Sequence, residues 1–408
     1  MNGEIVELIN QITRQRKLDR DFVIGALRDA IALAIRKSKG MDYDVNVEID
    51  PKKGDVTVWV NKKVVENVSD PDREISIEEA KKIDPDVKVD DFVRVPVPFT
   101  DFGRSVVYKI QNVFLQKIRE AEKQHIYRDF QEKVGEIISG TIQKVDKTGV
   151  YISLGKAEAI LPPEEQIPGE KYKQGGTIKA LVLRVEDQRR RPQVILSRTH
   201  PDFLRGLLEF EIPEVSEGTV EVKAVARIPG KRSKVAVRSK DPKVDPIGAC
   251  IGIRGTRIQP IVKELSNEKI DVIKWDPDPI RFTALAMSPA KPLVIYEDDD
   301  KIYFVVEEDK VPEAKGKEAQ NVILASKLVG KEIVVIPVSE MKPPKDAVTL
   351  LELDGIDDEV REKLRDAGFY VFKEIPSLAE LVAVEGIDEE TAIKVLEKIE
   401  EKLEEKAK

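Results

Sequence analysis

The sequence DPIGACIGIRGTRIQPIVKEL, at residues 245–265, contains two apolar segments separated by a pair of glycines. Residues 247–251 and 258–265 carry apolar side chains at helical spacing and flank Gly252-Ile253-Arg254-Gly255. The pattern predicts two helices joined by a Gly-x-x-Gly corner. Glycine accepts the positive φ of such a turn, and without a Cβ it lets another backbone approach closely. The amides at the start of the second helix favour a phosphate there.

This arrangement resembles the KH domain, a module that holds about four nucleotides of single-stranded RNA or DNA. The resemblance implies that the four corner residues contact a nucleic-acid backbone, with Arg254 and Arg257 as mobile positive charges beside it. An ordinary helix–turn–helix corner without a ligand is the alternative interpretation.

The length of 408 residues predicts about three to five domains. Charged residues make up 35% of the chain and hydrophobic residues 41%, a balance typical of a folded protein with a heavily charged surface. The abundance of Lys, Glu and Arg, beside one Cys, two His and four Met, is a composition that hyperthermophile proteins often show.

The net charge of −8 is unevenly distributed. Residues 177–275 hold 20 Lys and Arg against 13 Asp and Glu, a net charge of +7. Residues 345–408 hold 10 against 19, a net charge of −9. A basic middle and an acidic end are typical of a nucleic-acid-binding protein with an acidic interaction domain.

Several classes of site are excluded by composition. Cys250 is the only cysteine, which excludes an internal disulfide and a cysteine-based metal cluster, and we expect a buried core position for it. His125 and His200 are isolated, so we expect no zinc site, no catalytic triad and no cofactor. No segment approaches the roughly 20 apolar residues that span a bilayer, and the first residues lack a signal-peptide pattern. We therefore expect a cytosolic monomer without a membrane partner.

Residues 1–132 predict an α/β domain that ends in a long helix. Apolar residues at helical spacing indicate two helices, and alternating apolar residues indicate a strand hairpin. Residues 104–132 indicate a further helix that could act as a strut between domains. The last helix has a basic face formed by Arg104, Lys109, Lys117, Arg119 and Lys123.

Residues 133–199 predict about five short strands between glycines, which favours a small closed barrel of the OB type. The pattern around Gly140 and Gly149 resembles the S-one RNA-binding barrel. That resemblance implies base stacking on Tyr151. Thr148 and Pro162 replace residues usual in that family, so we expect weak RNA affinity, carried by Arg184 and the run at residues 189–191. A solvated hairpin tip is the alternative for that run.

Residues 200–275 follow the element order of a prokaryotic-type KH domain, and residues 276–344 repeat it with the corner displaced by 64 residues. In the repeat the corner reads Gly316-Lys317-Glu318-Ala319, so the last glycine is lost and a negative charge is added. The second domain either binds RNA weakly or is a structural copy. The further candidate RNA contacts are Lys231, Arg232 and Lys234 in the first domain and Gly316, Lys317, Gln320 and Asn321 in the second.

Residues 345–408 resemble a small helix-hairpin-helix domain, since a Gly-Ile pair precedes a helix at Gly355 and again at Gly386. Acidic residues crowd both hairpins and would repel phosphate. We expect a protein-interaction domain, with docking onto the basic middle as one possibility. We interpret the last helix as a fraying, solvated end.

The order of these parts resembles one family, the bacterial transcription elongation and termination factor NusA. The shared strings are DFGR at 101–104, IREAE at 118–122, ILSRT at 195–199, DPIGACIG at 245–252, EKID at 268–271 and QNV at 320–322. The resemblance implies an α+β multidomain protein that docks on RNA polymerase through residues 1–132. The barrel and both KH domains would then contact single-stranded nascent RNA.

The family is not enzymatic and acts on pausing, termination and antitermination, with other antitermination factors as further expected partners. Arg104, Lys109 and Arg119 are the candidate polymerase contacts. An RNA-processing exonuclease and a ribosome-assembly protein are the alternatives, since exonucleases also join a barrel of this type to a KH domain.

Overall fold

The computed structural model of the protein describes residues 2–16, 18–40, 44–98, 104–155, 157–187 and 192–407. The chain forms two compact units, Met1–Glu132 with Glu186–Pro192, and Lys133–Val185 with Gln193–Lys408. Among the described helices, none is both long and apolar enough to cross a membrane.

In the first unit, helices pack against a four-stranded, mostly antiparallel sheet. Its buried side chains include Val23, Ala30 and Ala34 on one helix and Phe114 and Ile118 on the last. The elements are α1 (Asn2–Arg16), α2 (Arg20–Lys39), β1 (Val45–Ile49), β2 (Val56–Val65), β3 (Glu74–Ser76), α3 (Ile77–Ile83), β4 (Phe92–Val97) and α4 (Arg104–Gln131).

The second unit begins with a closed five-stranded barrel whose strands follow the order β5-β6-β7-β9-β8. Ile152, Val182 and Val194 fill its interior. A Cβ on Gly140 would collide with the side chain of Ile152, so the close approach of β5 to β6 requires glycine there. The strands are β5 (Ile137–Asp146), β6 (Gly149–Ser153), β7 (Glu158–Leu161), β8 (Thr177–Asp187) and β9 (Pro192–Ser197).

The first KH-like domain follows, with a three-stranded sheet in which β10 and β11 are antiparallel and β11 and β12 are parallel. One face of this sheet packs on the domain's own helices, where Cys250 is fully buried. The elements are α5 (Pro201–Glu211), α6 (Pro213–Ser216), β10 (Val220–Ile228), β11 (Arg232–Ser239), α7 (Pro246–Ile251), α8 (Ile258–Glu264) and β12 (Lys269–Lys274).

The second KH-like domain repeats the same order and the same strand directions. Its helices cover the other face of the first sheet, where Ala226, Ala236 and Ile273 share one core with Phe282 and Leu324. The two copies are therefore packed as one body. The elements are α9 (Pro279–Ala286), β13 (Val294–Asp298), β14 (Lys301–Val306), α10 (Val311–Lys315), α11 (Gln320–Val329) and β15 (Glu332–Pro337).

The last domain is mainly helical and closes on its own small core. The predicted fraying of its last helix is wrong, because Ile399 is fully buried and the Lys406 ammonium donates to the Ala347 carbonyl at 2.7 Å. The elements are β16 (Val348–Thr349), α12 (Asp358–Asp366), β17 (Val371–Phe372), α13 (Leu378–Val382) and α14 (Glu389–Ala407). The predicted fold class, α+β with an OB-type barrel and tandem KH-like domains, is confirmed.

Candidate nucleic-acid interface

The Gly-x-x-Gly turn at residues 252–255, here called the first corner, has the conformation that its sequence demands. Gly252, Arg254 and Gly255 have φ values of +73°, +54° and +80°. A Cβ on Gly252 would lie 2.9 Å from Arg257 Cγ and 3.1 Å from the Arg257 amide nitrogen. Glycine is therefore required at Gly252 both by its φ and by the closeness of the next helix.

The helix that leads into the first corner is fixed at both ends. The Asp245 carboxylate accepts hydrogen bonds from the amides of Ile247 (3.1 Å) and Gly248 (2.9 Å) and so caps α7. At the other end the Gly252 amide donates to the Gly248 carbonyl at 2.8 Å. These contacts within the chain hold the start of the corner in place.

The apex of the first corner faces solvent. The Ile253 side chain is 84% exposed, although isoleucine is usually buried. The Arg254 side chain is also exposed, and it forms no hydrogen bond or ion pair with the residues that the structure describes. The apolar side chain of Ile253 and the guanidinium of Arg254, unpaired within the described residues, are therefore adjacent, at a turn that a phosphate can approach.

Arg257 is not the mobile charge that the sequence predicted. Its guanidinium bonds both carboxylate oxygens of Glu214, at 2.9 and 2.8 Å, and the Ala249 carbonyl at 2.8 Å. The pKa of Glu214 is lowered, first by its own backbone amide and then by Arg257. Arg257 thus ties the corner to α6, and a direct RNA contact by it stays a prediction.

The three basic candidates near the β10–β11 turn have different environments. Lys231 is exposed, and its ammonium lies 2.7 Å from a carboxylate oxygen of Glu318. Arg232 is half-buried and bonds Asp271 at 2.7 Å. Their RNA contacts stay predictions.

Lys234 as an RNA contact is wrong. Its side chain is 0% exposed, and its ammonium donates to the Ser288 carbonyl at 3.2 Å. Burial lowers the pKa of this ammonium group. The Lys234 side chain extends from β11 into the interface between the two KH-like domains. It therefore contacts the second domain instead of solvent.

The second corner, at residues 316–319, has nearly the same backbone as the first. Gly316 has φ +72° and ψ 172°, against +73° and 169° at Gly252. Glu318 matches Arg254, with φ values of +53° and +54°. Ala319 keeps a positive φ of +57° without glycine, a conformation that costs an L-residue roughly 1–2 kcal/mol. The sequence of this corner has diverged, whereas its shape has not.

Polar side chains in the second corner and immediately after it mostly contact other protein groups. Asn321 is only 3% exposed and donates to the carbonyls of Met287 (2.9 Å) and Ala314 (3.0 Å), so its predicted availability for RNA is wrong. Gln320 donates to Glu318 at 3.4 Å. The hydrogen bond from Lys231 lowers the pKa of Glu318. Lys317 is exposed.

The barrel presents its predicted aromatic residue with a cation beside it. The Tyr151 hydroxyl lies 2.9 Å from Thr148 Oγ1, and the Lys144 ammonium lies 5.4 Å from the centre of the ring. Arg184 is exposed on β8. The predicted run at residues 189–191 lies outside the described residues. Base stacking on Tyr151 and phosphate contact by Arg184 stay predictions.

The basic face of α4 is partly used within its own unit. Lys109 and Arg119 are exposed, whereas the Lys117 ammonium bonds Asp29 at 2.8 Å. Arg104 begins the helix, and its side chain lies outside the described part of the chain. Tyr108 is 68% exposed on the same helix, which the apolar periodicity did not indicate.

A buried polar network joins the barrel to the first KH-like domain. Of its residues, the sequence singled out only Arg198 and Glu268, as parts of the shared strings. Arg198 pairs with Glu170 (2.6 Å) in the barrel and with Glu264 (2.8 Å) at the end of α8. Arg227 pairs with Glu268 at 2.8 Å, and both side chains are at most 1% exposed. The network fixes the first corner relative to the barrel.

Comparison with protein families divides the chain into four matched regions. Residues 4–124 match the NusA N-terminal domain, and residues 131–197 match the S1 RNA binding domain. Residues 198–275 match the NusA-like first KH domain, and residues 279–343 the NusA-like second KH domain.

Three relatives that match most of the chain share the name transcription termination/antitermination protein NusA. The relative from Bacillus subtilis is 41% identical over 335 residues, which is 82% of this chain and 90% of the relative. That from Halalkalibacterium halodurans is 39% identical over 342 residues, 83% of this chain and 90% of the relative. That from Rickettsia conorii is 33% identical over 407 residues, 97% of this chain and 81% of the relative.

Proposed function

The chain belongs to the NusA family of transcription termination/antitermination proteins, and we propose that it docks on RNA polymerase and contacts nascent single-stranded RNA. It is an RNA-binding transcription factor, with an S1 barrel and two KH domains as the RNA-binding parts. We propose that it acts in the cytoplasm, modulates pausing, termination and antitermination, and catalyses no reaction itself.

The first corner is the observation that carries the RNA-binding proposal. Its geometry is set by internal contacts of α7, whereas Ile253 and Arg254 at its apex face solvent. A phosphate that approaches the corner meets the turn and Arg254, so binding should weaken as salt rises. The second corner has the same shape and carries a carboxylate paired with Lys231, which supports a weaker contact there.

Weak contacts suffice if the N-terminal domain anchors the protein on polymerase. Tethering raises the effective concentration of transcript at the KH pair above its bulk value, so a contact too weak to act alone can still be occupied. The proposed polymerase contacts are Arg104, Lys109 and Arg119 on α4.

The RNA arm of the test replaces Gly252 and Gly255 by Asp in the full chain and titrates a 20-nucleotide oligouridylate at two salt concentrations. We expect at least a tenfold loss of affinity, because a side chain and a negative charge then fill the corner. Gly355→Asp is the control for the positive φ, since Gly355 has φ +79°, and no atom lies within 4 Å of a Cβ added there. Unchanged RNA binding by the double variant would contradict the proposal.

The polymerase arm replaces Lys109 and Arg119 together by Glu in the full chain and measures co-purification with RNA polymerase. We expect reduced capture, with Lys81→Glu on α3 as an exposed control in the same unit. Capture of ribosomal subunits in place of polymerase would favour the ribosome-assembly alternative. Phosphorolysis of labelled RNA would favour the exonuclease alternative.

A further inference from the structure

Phe210 is an exposed aromatic residue at the junction of the barrel and the first KH domain. It lies on the last turn of α5, one and two helical turns after Leu207 and Phe203 on the same face. Those two residues are fully buried in a core that also contains Leu181 of the barrel. Phe210 continues this buried face and yet is 73% exposed, because the barrel surface beyond Leu181 is polar.

The strand register shows what lies on that surface. Gly140 and Ile142 on β5 face the barrel interior, so Ser139 and Thr141 between them face outward. Ser139 pairs with Lys179 on β8.

The same surface continues onto β6. Thr141 pairs with Ser153, and after an irregularity in β5 Lys144 pairs with Tyr151. We call the surface formed by Ser139, Thr141, Lys144, Tyr151 and Lys179 the outer barrel face.

Each end of the outer barrel face carries one aromatic ring with a lysine over it. The Lys179 ammonium lies 4.5 Å from the centre of the Phe210 ring, and the Lys144 ammonium 5.4 Å from that of Tyr151. The two ring–lysine pairs are separated by two inter-strand spacings across the sheet and by about five residues along β5. Together these separations give roughly 15–20 Å. Hydroxyl side chains lie between them. The length suits about four nucleotides, at the low end of what OB folds bind.

We propose that Phe210, outside the barrel, extends the RNA-binding surface across the outer barrel face and stacks a base there, as a second aromatic platform besides Tyr151. The proposal rests on the RNA-binding function proposed above, which already includes the barrel and Tyr151, and adds Phe210 to the binding surface. Two separate rings across a polar strip suit bases better than a protein partner, which would need a contiguous apolar patch.

Charge on the outer barrel face is nearly balanced, which distinguishes it from the first corner. Lys144 lies 2.6 Å from Asp146, and Lys179 lies 3.9 Å from Glu211. Few counterions would be released on binding, so the contribution of Phe210 should depend little on salt. Binding at the corner should depend on it strongly.

The test titrates the full chain with a 20-nucleotide oligouridylate and compares three variants of Phe210. Phe210→Ala and Phe210→Leu should each weaken binding about five- to tenfold, because both remove the ring that stacks a base. Phe210→Trp should retain wild-type affinity. Phe92→Ala, at another exposed phenylalanine (71%), is the control that should change nothing.

Three results would overturn the proposal. Phe210→Ala could bind as the wild type does, Phe210→Leu could retain full affinity, or the loss on Phe210→Ala could vanish at high salt. If Gly252→Asp with Gly255→Asp abolishes binding while Phe210→Ala leaves it unchanged, the proposed function stands and this site falls. If the wild-type chain binds no RNA, both fail.

Discussion

At the scale of single residues, the charge of Glu318 offers a test of whether the second corner binds RNA. It occupies the backbone position of Arg254, and its carboxylate is held by Lys231 from the first KH domain at 2.7 Å. Glu318→Arg should tighten oligouridylate binding several-fold and steepen its salt dependence by about 0.7 for each further phosphate that the protein neutralises. Glu318→Gln is the control, since it removes the carboxylate and frees Lys231 without adding a positive side chain. If Glu318→Arg binds no tighter than Glu318→Gln, the second copy is structural.

The sequence predicted the positions of the corners but not the hydrogen-bond and ion-pair partners of the side chains around them. Gly-x-x-Gly spacing is local information, so Gly252 and Gly316 were found from the sequence. The partners of Arg257 and Asn321 depend on other elements, because Glu214 and Met287 lie 43 and 34 residues before them in the chain. Lys234 and Asn321 were therefore predicted as RNA contacts from charge and hydrogen-bonding capacity alone, whereas the fold buries both.

At the scale of elements, the Arg227–Glu268 pair should be essential for the junction between the barrel and the first KH domain. Glu268 also accepts hydrogen bonds from the Gly230 amide (2.8 Å) and from Ser233 Oγ, so its carboxylate is fully bonded in the interior. Glu268→Gln leaves the buried guanidinium without a counter-charge, which should cost about 3 kcal/mol in the free energy of unfolding.

Urea unfolding of the full chain measures this cost in the free energy of unfolding, taken from the unfolding transition of the second unit. Asp202→Asn is the matched control, because it removes the partner of Arg205 in a pair that is partly exposed (35% and 48%) and should matter much less. A Glu268→Gln cost no larger than that of Asp202→Asn would show that the network is not structural. Strand and helix order followed from periodicity, but this network did not, since its ionic partners are 28 to 66 residues apart.

At the scale of the whole molecule, apolar burial and not charge asymmetry governs where the acidic domain packs. The charge pattern of the sequence left docking on the basic middle as one possibility. Tyr370 instead lies in the core of the second KH domain, 3% exposed, and burial raises its pKa to about 12. The nearby Lys291–Glu362 pair, at 3.1 Å, is 78% and 60% exposed and is screened by water. A buried aromatic side chain removes about 150–250 Å² from solvent, so it outweighs such a pair.

Tyr370→Ala should therefore release the acidic domain from the second KH domain, whereas Lys291→Ala should leave it docked. Truncating a buried aromatic residue costs about 3 kcal/mol or more, which is enough to populate an undocked state. Limited proteolysis with a lysine-specific enzyme reads this out, because Lys342 and Lys345 lie in the connecting segment. Ile375→Ala, at an exposed position (48%) of the same domain, should cleave at the wild-type rate. Equally accelerated cleavage of Tyr370→Ala and Lys291→Ala would show that surface charge contributes as much to docking as the buried ring. Cleavage of Tyr370→Ala at the wild-type rate would show that the ring does not hold the domain.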